Sequence, residues 1–326
     1  MKFITVTLNP ALDMNITMQT PLDPEGLNRS ESAAFSPGGK GINVSRALRA
    51  MGKESDAVCI LGGFTGSKIK SMLSEEGVSV RVIATTAETR VNISAITPDG
   101  RQCEINNPPI RTAAPEEGKE GKNSSSAGIR PAEETAQLLA KTRTLIRRLI
   151  EKNAAEGERT VVILAGSIPP DMPKNTYADL IRLCRDFGAI TVCDCDGDAL
   201  RHAVAAHPDM IKPNQDELAA LTERRLTREI IPQAAQEICV STGGETTVLA
   251  TAGSVGAYIC RSRETLFAPS VKVERIRTLK GAGDTFLAAY LHHLYDRGMS
   301  EDCALAAASR FAAKKIATPG GVYPEF

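Results

Sequence analysis

The sequence predicts an α/β fold, a doubly wound sandwich with a mainly parallel central sheet and a small β appendage. Short, nearly continuous apolar runs alternate with longer helical patterns over most of the 326 residues. Such runs are typical of strands buried on both faces of a parallel sheet. Two stretches, 12–36 and 90–106, instead alternate polar and apolar residues, which indicates strands with one solvated face. This pattern favours a large α/β unit that carries a small separate sheet.

The individual elements follow from the same periodicity. Six apolar runs are predicted to be strands: 3–8, 57–61, 161–164, 189–193, 210–212 and 237–241. Five stretches between or after them are predicted to be helices: 41–51, 131–153, 174–187, 215–221 and 284–297. Residues 112–130 are poor in aliphatic side chains and rich in Glu, Lys, Gly and Ser, so we expect a surface insertion there. Right-handed crossovers place the functional loops at the carboxyl ends of the strands.

Composition excludes several classes of protein. Lysine plus arginine and aspartate plus glutamate each number 39, so the net charge is zero and bulk attraction to nucleic acid is disfavoured. No apolar run approaches the ~18 residues of a membrane helix, and no basic, apolar leader precedes the first strand. The eight cysteines are scattered, and Cys193 and Cys195 lack a second pair for a zinc site, so we expect reduced thiols in a cytoplasmic protein.

The first motif that could carry chemistry is Gly281-Ala282-Gly283-Asp284, just before a predicted helix. Small residues let backbone N–H groups at a helix N-terminus converge on an anion, where the helix dipole is favourable. Asp284 would stand beside that pocket. The alternative is a tight turn in which the aspartate only caps the helix, and the motif alone does not decide between them.

A second glycine-rich loop precedes the helix predicted at 41–51. Lys40 adds a mobile charge to Gly38, Gly39 and Gly41, and Asn43 follows two residues into the helix. The loop could bind a phosphate or a sugar, or its glycines could serve close packing alone. Lys40, with Arg29 and Arg90 from the two appendage segments, could clamp a small-molecule phosphate, although either arginine alone is ordinarily a solvated surface residue.

Three acidic or amide residues complete the candidates. Asn214 and Glu217 are three residues apart at a helix start, where they could orient water around a divalent cation. The same spacing is that of a capping box, which spacing alone favours. Asp13 follows Asn-Pro, so it is either a turn residue or an acceptor for sugar hydroxyls.

In their order along the chain, these motifs resemble those of the PfkB (ribokinase-like) carbohydrate kinases. The resemblance spans the chain apart from 112–130, and the opening motif with Gly-Gly-Lys-Gly-Ile-Asn is similar to the branch of 1-phosphofructokinase, tagatose-6-phosphate kinase and the minor 6-phosphofructokinase. The motifs are 7–13, 38–44, 89–93, 166–169, 212–217, 241–244 and 281–284. The resemblance implies a three-layer α/β/α sandwich formed by 1–11, 37–89 and 107–326. It further implies a β-sheet lid formed by 12–36 and 90–106, through which two copies would pair as a homodimer.

The resemblance also implies roles in transfer of a phosphoryl group from MgATP. Asp284 would be the base, and the backbone amides of Gly281, Ala282, Gly283 and Asp284 would form an anion hole. An aspartate at a helix N-terminus is expected to have a low pKa and to be a weak base. Asn214 and Glu217 would hold Mg²⁺ through water. The nucleotide would contact these two residues together with Lys212, Ser241, Thr242, Gly243 and Gly244.

The acceptor implied by the resemblance is a ketohexose phosphate. Its hydroxyls would be bound by Asp13, Gly38, Gly39 and Asn43, and its phosphate by Arg29, Lys40 and Arg90 with help from Asn92. We expect D-fructose 1-phosphate, with tagatose 6-phosphate or fructose 6-phosphate as alternatives, or a non-catalytic protein that binds sugar phosphates. Lys280 stands where relatives usually have an uncharged residue, and it either approaches the nucleotide phosphates or points to solvent.

Overall fold

The computed structural model describes residues 1–108 and 132–325, so the predicted insertion at 112–130 lies outside the described residues. The described chain contains thirteen strands: β1 Lys2–Thr7, β2 Ala11–Met18, β3 Ser30–Gly38, β4 Ser55–Leu61, β5 Ser79–Ala84, β6 Arg90–Ile96, β7 Gln102–Ile105, β8 Thr160–Ala165, β9 Ile190–Asp194, β10 Met210–Ile211, β11 Thr247–Thr251, β12 Gly256–Cys260 and β13 Thr265–Pro269. Its α-helices are α1 Lys40–Ala50, α2 Gly63–Glu75, α3 Ala132–Ala155, α4 Thr176–Asp186, α5 Gly197–Val204, α6 Gln215–Thr222, α7 Ile231–Ser241, α8 Ala282–Leu291 and α9 Glu301–Ile316.

Nine strands form the main sheet in the order β13-β12-β11-β10-β9-β8-β1-β4-β5. The seven strands from β11 to β5 are parallel, and β12 and β13 add an antiparallel edge. β1 lies between β8 and β4, so the chain leaves this central strand toward one edge first and toward the other later. In open parallel sheets such a switch in strand order creates a crevice at the carboxyl ends of the strands, where ligands bind.

The side chains of the central strands alternate between two cores. On β1, Ile4 and Val6 pack into one cluster with residues of α3 to α7, whereas Phe3 packs into the other with α1, α8 and α9. β8 behaves alike, with Val162 in the first cluster and Val161 in the second. Because successive side chains of a strand point to opposite faces, helices cover both sides of the sheet. The predicted three-layer α/β/α sandwich is confirmed.

A separate four-stranded sheet, the small sheet, has the order β3-β2-β6-β7. β2 pairs antiparallel with β3 and parallel with β6, and this register places Asp13 opposite Ser36 and Asn92. All four strands come from the two stretches whose alternating pattern predicted half-solvated strands, apart from the last two residues of β3 and the first of β2. The outer part of β3 and all of β7 are exposed, as that pattern requires.

One predicted strand is wrong. Residues 237–241 are the last turns of α7, and the strand that follows is β11. The buried positions Ile231, Ala234, Ala235 and Cys239 have helical spacing, and Pro232 stands in the first turn, where proline is favoured. A short apolar run with β-branched residues does not by itself distinguish a strand from the end of a helix.

None of the helices in the described part of the chain combines the length and the apolar character that crossing a bilayer requires.

Candidate active site

The candidate site lies at the carboxyl ends of the central strands. Asn9 follows β1 and Ser167 follows β8, and the Asn9 Nδ2 donates a hydrogen bond to the Ser167 Oγ over 3.0 Å. This bond joins the two loops that leave the sheet on either side of the switch in strand order. The helices α1 and α8 pack against each other, and their first turns are joined by a hydrogen bond between Asn43 and Asp284.

Asp284 and Asn43 meet where these two helices begin. Gly281 precedes α8 with a positive φ of 76°, and this left-handed conformation suits glycine. Asp284 then lies in the first turn of α8, and its Oδ2 accepts a 2.8 Å hydrogen bond from the Asn43 Nδ2 of α1. Both side chains are buried. The structure therefore brings together two residues that are 241 positions apart in the sequence.

The surroundings of Asp284 raise its pKa to about 6. Burial is the largest cause, because it disfavours the charged carboxylate, and the negative charge of Asp194 acts in the same direction. Lys40, Asn43 and Lys212 oppose these effects without cancelling them. The expected low pKa is thus wrong, because burial and a like charge outweigh the helix dipole. An aspartate of this kind is a stronger proton acceptor than one in water.

Asp194 is the centre of an ion-pair network that the sequence analysis missed. It ends β9, has no solvent exposure, and its Oδ1 lies 2.9 Å from Lys40 Nζ while its Oδ2 lies 3.0 Å from Lys212 Nζ. Burial alone would raise the pKa of Asp194, but Lys212 and Lys40 hold it below its ordinary value. The position of an aspartate at the carboxyl end of a buried strand was the available signal.

Lys212 extends this network to the predicted anion hole at 281–284. Its Nζ lies 3.7 Å from the point that a Cβ on Gly283 would occupy. An ammonium group therefore faces the first turn of α8 beside the backbone N–H groups that follow Gly281. This arrangement can stabilise negative charge on a group held there.

Asn214 and Glu217 form the capping box of α6 and also face the site. The Asn214 Oδ1 accepts from the Glu217 N, and the Glu217 Oε2 accepts from the Asn214 N, each over 2.8 Å. The other oxygen of Glu217, Oε1, lies 3.2 Å from Lys40 Nζ. Among residues 1–108 and 132–325, no three His, Cys, Asp or Glu side chains converge on one point. This donor set fits a cation that is bound mainly by phosphates and water, as Mg²⁺ often is.

The predicted acceptor side of the site includes Asp13 of β2. Its Oδ1 accepts a 3.2 Å hydrogen bond from the Asn92 Nδ2, and its Oδ2 lies 2.8 Å from Lys280 Nζ. A Cβ on Gly38 would lie only 2.2 Å from the Asp13 Oδ2, so the carboxylate occupies space that glycine leaves free. In this structure Lys280 therefore pairs with this carboxylate rather than extending into solvent.

The predicted three-cation clamp is not assembled within one chain. Lys40 turns to Asp194 and Glu217 instead. Arg90 donates from its guanidinium to the backbone oxygens of Asn9, Pro10 and Asn107. Arg29 is exposed next to Ser30, which starts β3 opposite the end of β2, five residues or about 17 Å along the strand from Asp13.

A cavity of about 770 Å³ opens beside the anion hole. It extends from Ala282 and Gly283 to Phe286 and to the loop between β11 and β12. The loop residues that line it are Thr251, Gly253, Ser254 and Gly256. A mixed lining of apolar and backbone groups next to an anion hole suits a nucleotide base and its phosphates.

The predicted nucleotide contacts at 241–244 are not at this cavity. Ser241, Thr242, Gly243 and Gly244 end α7 and turn the chain into β11, with the Gly244 N donating to the Cys239 O over 2.8 Å. The carboxyl end of β11, which reaches the site, is Thr251. Four residues before β11 cannot line a pocket at its far end. The Gly253-x-x-Gly256 spacing directly after an apolar run was the signal for the loop that lines this cavity.

A buried cation lies behind the anion hole. Lys315 of α9 is 1 % exposed, and its Nζ has no hydrogen-bond partner in the described part of the chain. The Nζ lies 5.1 Å from the centre of the Tyr323 ring, and the Tyr323 hydroxyl lies 2.9 Å from where a Gly281 Cβ would stand. Burial, and then the charge of Arg46, lower the pKa of Lys315 to about 8. No motif in the sequence marked this lysine.

Comparison with known proteins identifies relatives along the whole chain. Residues 7–125 and 132–325 match the model of the pfkB family of carbohydrate kinases. The chain is 32 % identical over 289 residues to a 1-phosphofructokinase of Bacillus subtilis, which covers 88 % of this chain and 84 % of that protein. It is 30 % identical over 303 residues to ATP-dependent 6-phosphofructokinase isozyme 2 of Escherichia coli, at coverages of 92 % and 88 %. The structure of phosphofructokinase-2 from Escherichia coli with substrates and products has a TM-score of 0.82, 25 % identity, and coverages of 100 % and 96 %.

The matched residues include the small sheet, the main sheet apart from the first five residues of β1, and every part of the candidate site within the described chain. The predicted resemblance is confirmed by this match. Carbohydrate kinases transfer a phosphoryl group to a sugar hydroxyl, so the protein is a phosphotransferase with an alcohol acceptor. The chain belongs to the PfkB family of carbohydrate kinases.

Proposed function

We propose that the protein phosphorylates a ketohexose phosphate with ATP, and that its substrate is D-fructose 1-phosphate, which becomes fructose 1,6-bisphosphate. The observation that supports this most directly is the position of Asp284. Asp284 directly follows Gly283, which lines the cavity, and its carboxylate accepts a hydrogen bond from Asn43 of α1, the helix that begins after Gly38 and Gly39. An acceptor hydroxyl and a terminal phosphoryl group would meet there.

In the proposed reaction, Asp284 accepts the proton of the acceptor hydroxyl. The hydroxyl oxygen forms a bond to the γ-phosphorus of ATP, and the bond from that phosphorus to the β–γ bridging oxygen breaks to release ADP. The backbone N–H groups of 281–284 and the ammonium of Lys212 stabilise the charge on the transferred group. With a pKa of about 6, Asp284 is ionised at neutral pH and still more basic than an aspartate in water.

The donor side would hold ATP in the cavity lined by Thr251, Gly253 and Ser254. Asn214 and Glu217 would hold Mg²⁺ through water, and the ion would neutralise charge on the phosphates. Lys40 fixes Glu217 and Asp194 in place from the other side. This position makes Lys40 a residue of the donor side rather than a ligand of the sugar's own phosphate.

The acceptor side would use Asp13 and the backbone around Gly38 and Gly39 for sugar hydroxyls. Arg90 and Asn92 lie next to Asp13 and would face the phosphate already on the sugar. Exclusion of water from this side prevents hydrolysis of ATP from competing with transfer. The small sheet, which carries Asp13, Arg90 and Asn92, would act as the lid.

We also propose that two copies pair through the small sheet. The outer half of this unit, which comprises the small sheet and the loop between β2 and β3, exposes large apolar side chains. Leu27 in the loop is 80 % exposed, and Phe35 and Ile105 are exposed on the strands. Burial of such side chains is what a homodimer interface supplies. Arg29 stands on the same outer half, so a second copy could bring it to a site that its own chain does not let it reach. Light scattering after gel filtration tests this, and a monomer would refute it.

The protein is proposed to be cytoplasmic. All eight cysteines are free in the structure, including the neighbouring Cys193 and Cys195, and most of them are buried. Unpaired thiols in this number suit a reducing compartment.

The experiment that tests the proposed function is an ADP-release assay with MgATP. The panel contains D-fructose 1-phosphate, tagatose 6-phosphate, fructose 6-phosphate and unphosphorylated fructose. We expect kcat/KM for D-fructose 1-phosphate to exceed the others at least about tenfold, which is a difference of ~1.4 kcal/mol in transition-state stabilisation. A preference for another phosphosugar would refute D-fructose 1-phosphate as the substrate but would still support a ketohexose-phosphate kinase. Preference for unphosphorylated fructose would refute the phosphosugar proposal.

A further inference from the structure

Lys280 joins the two halves of the site. It directly precedes Gly281, yet its Nζ lies 2.8 Å from Asp13 Oδ2 on the small sheet. The Asp13 side chain is 5 % exposed and that of Lys280 is 27 % exposed, so the ion pair closes the floor of the acceptor side while the lysine stem borders the opening. The residue before the anion hole is therefore paired with the carboxylate proposed to bind the sugar.

The ammonium group of Lys280 holds the carboxylate oxygen of Asp13, Oδ2, to which a sugar hydroxyl would donate. The Asn92 Nδ2 already donates to the Asp13 Oδ1, which leaves Oδ2 as the oxygen held by Lys280. An acceptor hydroxyl that donates to Oδ2 competes with the ammonium for the same lone pairs. The backbone N of Lys280 donates to the Thr278 Oγ1 over 3.1 Å, so the main chain stays in place while the side chain is free to turn.

The other cations of the site have partners that a sugar does not displace. Lys40 and Lys212 both pair with Asp194, which is fully buried. Arg90 donates to backbone oxygens. Within the described part of the site, Lys280 is thus the cation whose partner is itself the proposed sugar ligand.

We propose that Lys280 is a catalytic residue that changes partner during the reaction. Before an acceptor binds, its ammonium pairs with Asp13. When acceptor hydroxyls take Asp13, the ammonium turns to the phosphoryl group held at 281–284, next to its own backbone. This inference rests on the proposed function, since it assumes an acceptor at Asp13 and a phosphoryl group at the anion hole.

In this proposal the side chain of Lys280 turns while its backbone, which donates to Thr278, stays in place. Lysine carries its charge on a flexible four-carbon stem with three donor hydrogens, so it can follow a moving anion. Lys212 faces the first turn of α8 at Gly283, and Lys280 would face it from the side of Asp13. The bonds that form and break are those of the proposed transfer, and the proton still goes to Asp284. Lys280 contributes charge only.

The exchange would couple catalysis to the presence of the sugar. Without an acceptor, Asp13 retains the ammonium, and a bound ATP lacks one of the charges that stabilise transfer. Water alone does not displace a lysine from a buried carboxylate as a bound polyol does. If Lys280 changes partner in this way, we expect ATP to be hydrolysed slowly in the absence of sugar and phosphoryl transfer to be faster in its presence.

The test compares Lys280→Met and Lys280→Arg with the wild-type protein. Lys68→Met, on the exposed face of α2, is the matched control for loss of a lysine. The probes are MgATP and the phosphosugar of the four-member panel that the wild-type protein accepts best. For each variant we measure kcat, KM for the sugar, and the Kd of the same sugar in the absence of nucleotide.

We expect Lys280→Met to lower kcat on the order of 100-fold, as loss of a charge that acts in the transition state does. Its Kd for the sugar should be unchanged or smaller, because the hydroxyls no longer compete with an ammonium. Lys280→Arg should retain more of kcat than Lys280→Met, and Lys68→Met should match the wild-type protein.

Two outcomes would overturn the inference. A kcat of Lys280→Met within threefold of the wild-type value would mean that the ammonium never reaches the phosphoryl group. Weaker sugar binding with an intact kcat would mean that Lys280 only holds Asp13 in place. If Lys280→Met does not fold, Lys280→Gln is measured instead. Failure of the wild-type protein to turn over any sugar refutes the proposed function, whereas the ratio of variant to wild-type values concerns Lys280 alone.

Discussion

Replacing Asp284 by asparagine should make the protein more stable and inactive at once. The site raises the pKa of Asp284 from its ordinary value of 3.8 to about 6. The folded protein therefore holds this proton more tightly than the unfolded chain, and the free energy of unfolding falls as pH rises from about 4 to about 6. At 1.36 kcal/mol per pKa unit, the buried charge costs about 3 kcal/mol of stability above pH 6. Asparagine carries no charge and removes that penalty.

Urea unfolding at two pH values measures this effect. At pH 8 we expect Asp284→Asn to raise the free energy of unfolding by about 3 kcal/mol, and near pH 4 by less than about 1 kcal/mol, because the wild-type carboxyl is then protonated in the folded state. Asparagine keeps an oxygen that can accept the hydrogen bond from Asn43. Asp198→Asn, an exposed residue in the first turn of α5, is the control and should change stability by less than about 0.5 kcal/mol.

Turnover should respond in the opposite direction. Loss of the proton acceptor is expected to lower kcat by roughly 10²- to 10⁴-fold, while the sugar still binds. An Asp284→Asn protein that is no more stable than the wild type at pH 8 would refute the claim that burial raises this pKa. An unchanged kcat would refute the role of Asp284 as the base.

Three other perturbations test neighbouring parts of the structure. The kcat/KM should fall about tenfold per pH unit below pH 6, since Asp284 must be ionised to accept a proton, and a flat profile down to pH 5 would contradict this. Gly38→Ala should raise KM for the sugar at least tenfold in steady-state assays with little loss of fold, because the new Cβ would stand 2.2 Å from the Asp13 Oδ2. Arg46→Ala should lower the free energy of unfolding by about 3 kcal/mol in urea titrations, because Arg46 donates to both carboxylate oxygens of Glu76 from a buried position.

The sequence predicted those parts of the structure that depend on local patterns. β1, β4, β8 and β9 were recognised because strands buried on both faces are almost continuously apolar. The small sheet was recognised because one of its faces is solvated. α7 was taken for a strand, because its last residues are β-branched and its helical spacing becomes visible only over the preceding turns.

The site was predictable where a motif stands at a strand or helix end. Asp284, Asn43 and Asn214 are of this kind, and the structure places each of them at the crevice. Contacts between distant segments were not predictable. Lys40 pairs with Asp194 instead of joining Arg90 in a phosphate clamp, and this depends on which strands are neighbours in the main sheet. Lys280 pairs with Asp13, and this depends on where the small sheet lies relative to the main sheet.

The pKa of Asp284 was mispredicted for the same reason. A helix start suggests a favourable dipole for an anion, but the burial of that start and the nearby charge of Asp194 arise only from tertiary packing. The loop that lines the cavity was not singled out, because two adjacent glycines drew attention to a helix end, whereas the glycines of the loop at the cavity are three residues apart.

The bond between Asn43 and Asp284 has a consequence for how the chain reaches its native state. The two residues are 241 positions apart in the sequence, and the paired residues Lys40 and Asp194 are 154 positions apart. β1, at the centre of the main sheet, pairs with β8, which is also distant in the sequence. Closing such long loops is slow, and chains dominated by distant contacts fold slowly. Catalytic activity should therefore be the last property to return on refolding from urea, after the helices have already formed. A newly made molecule would then remain inactive until its final sheet and helices are in place.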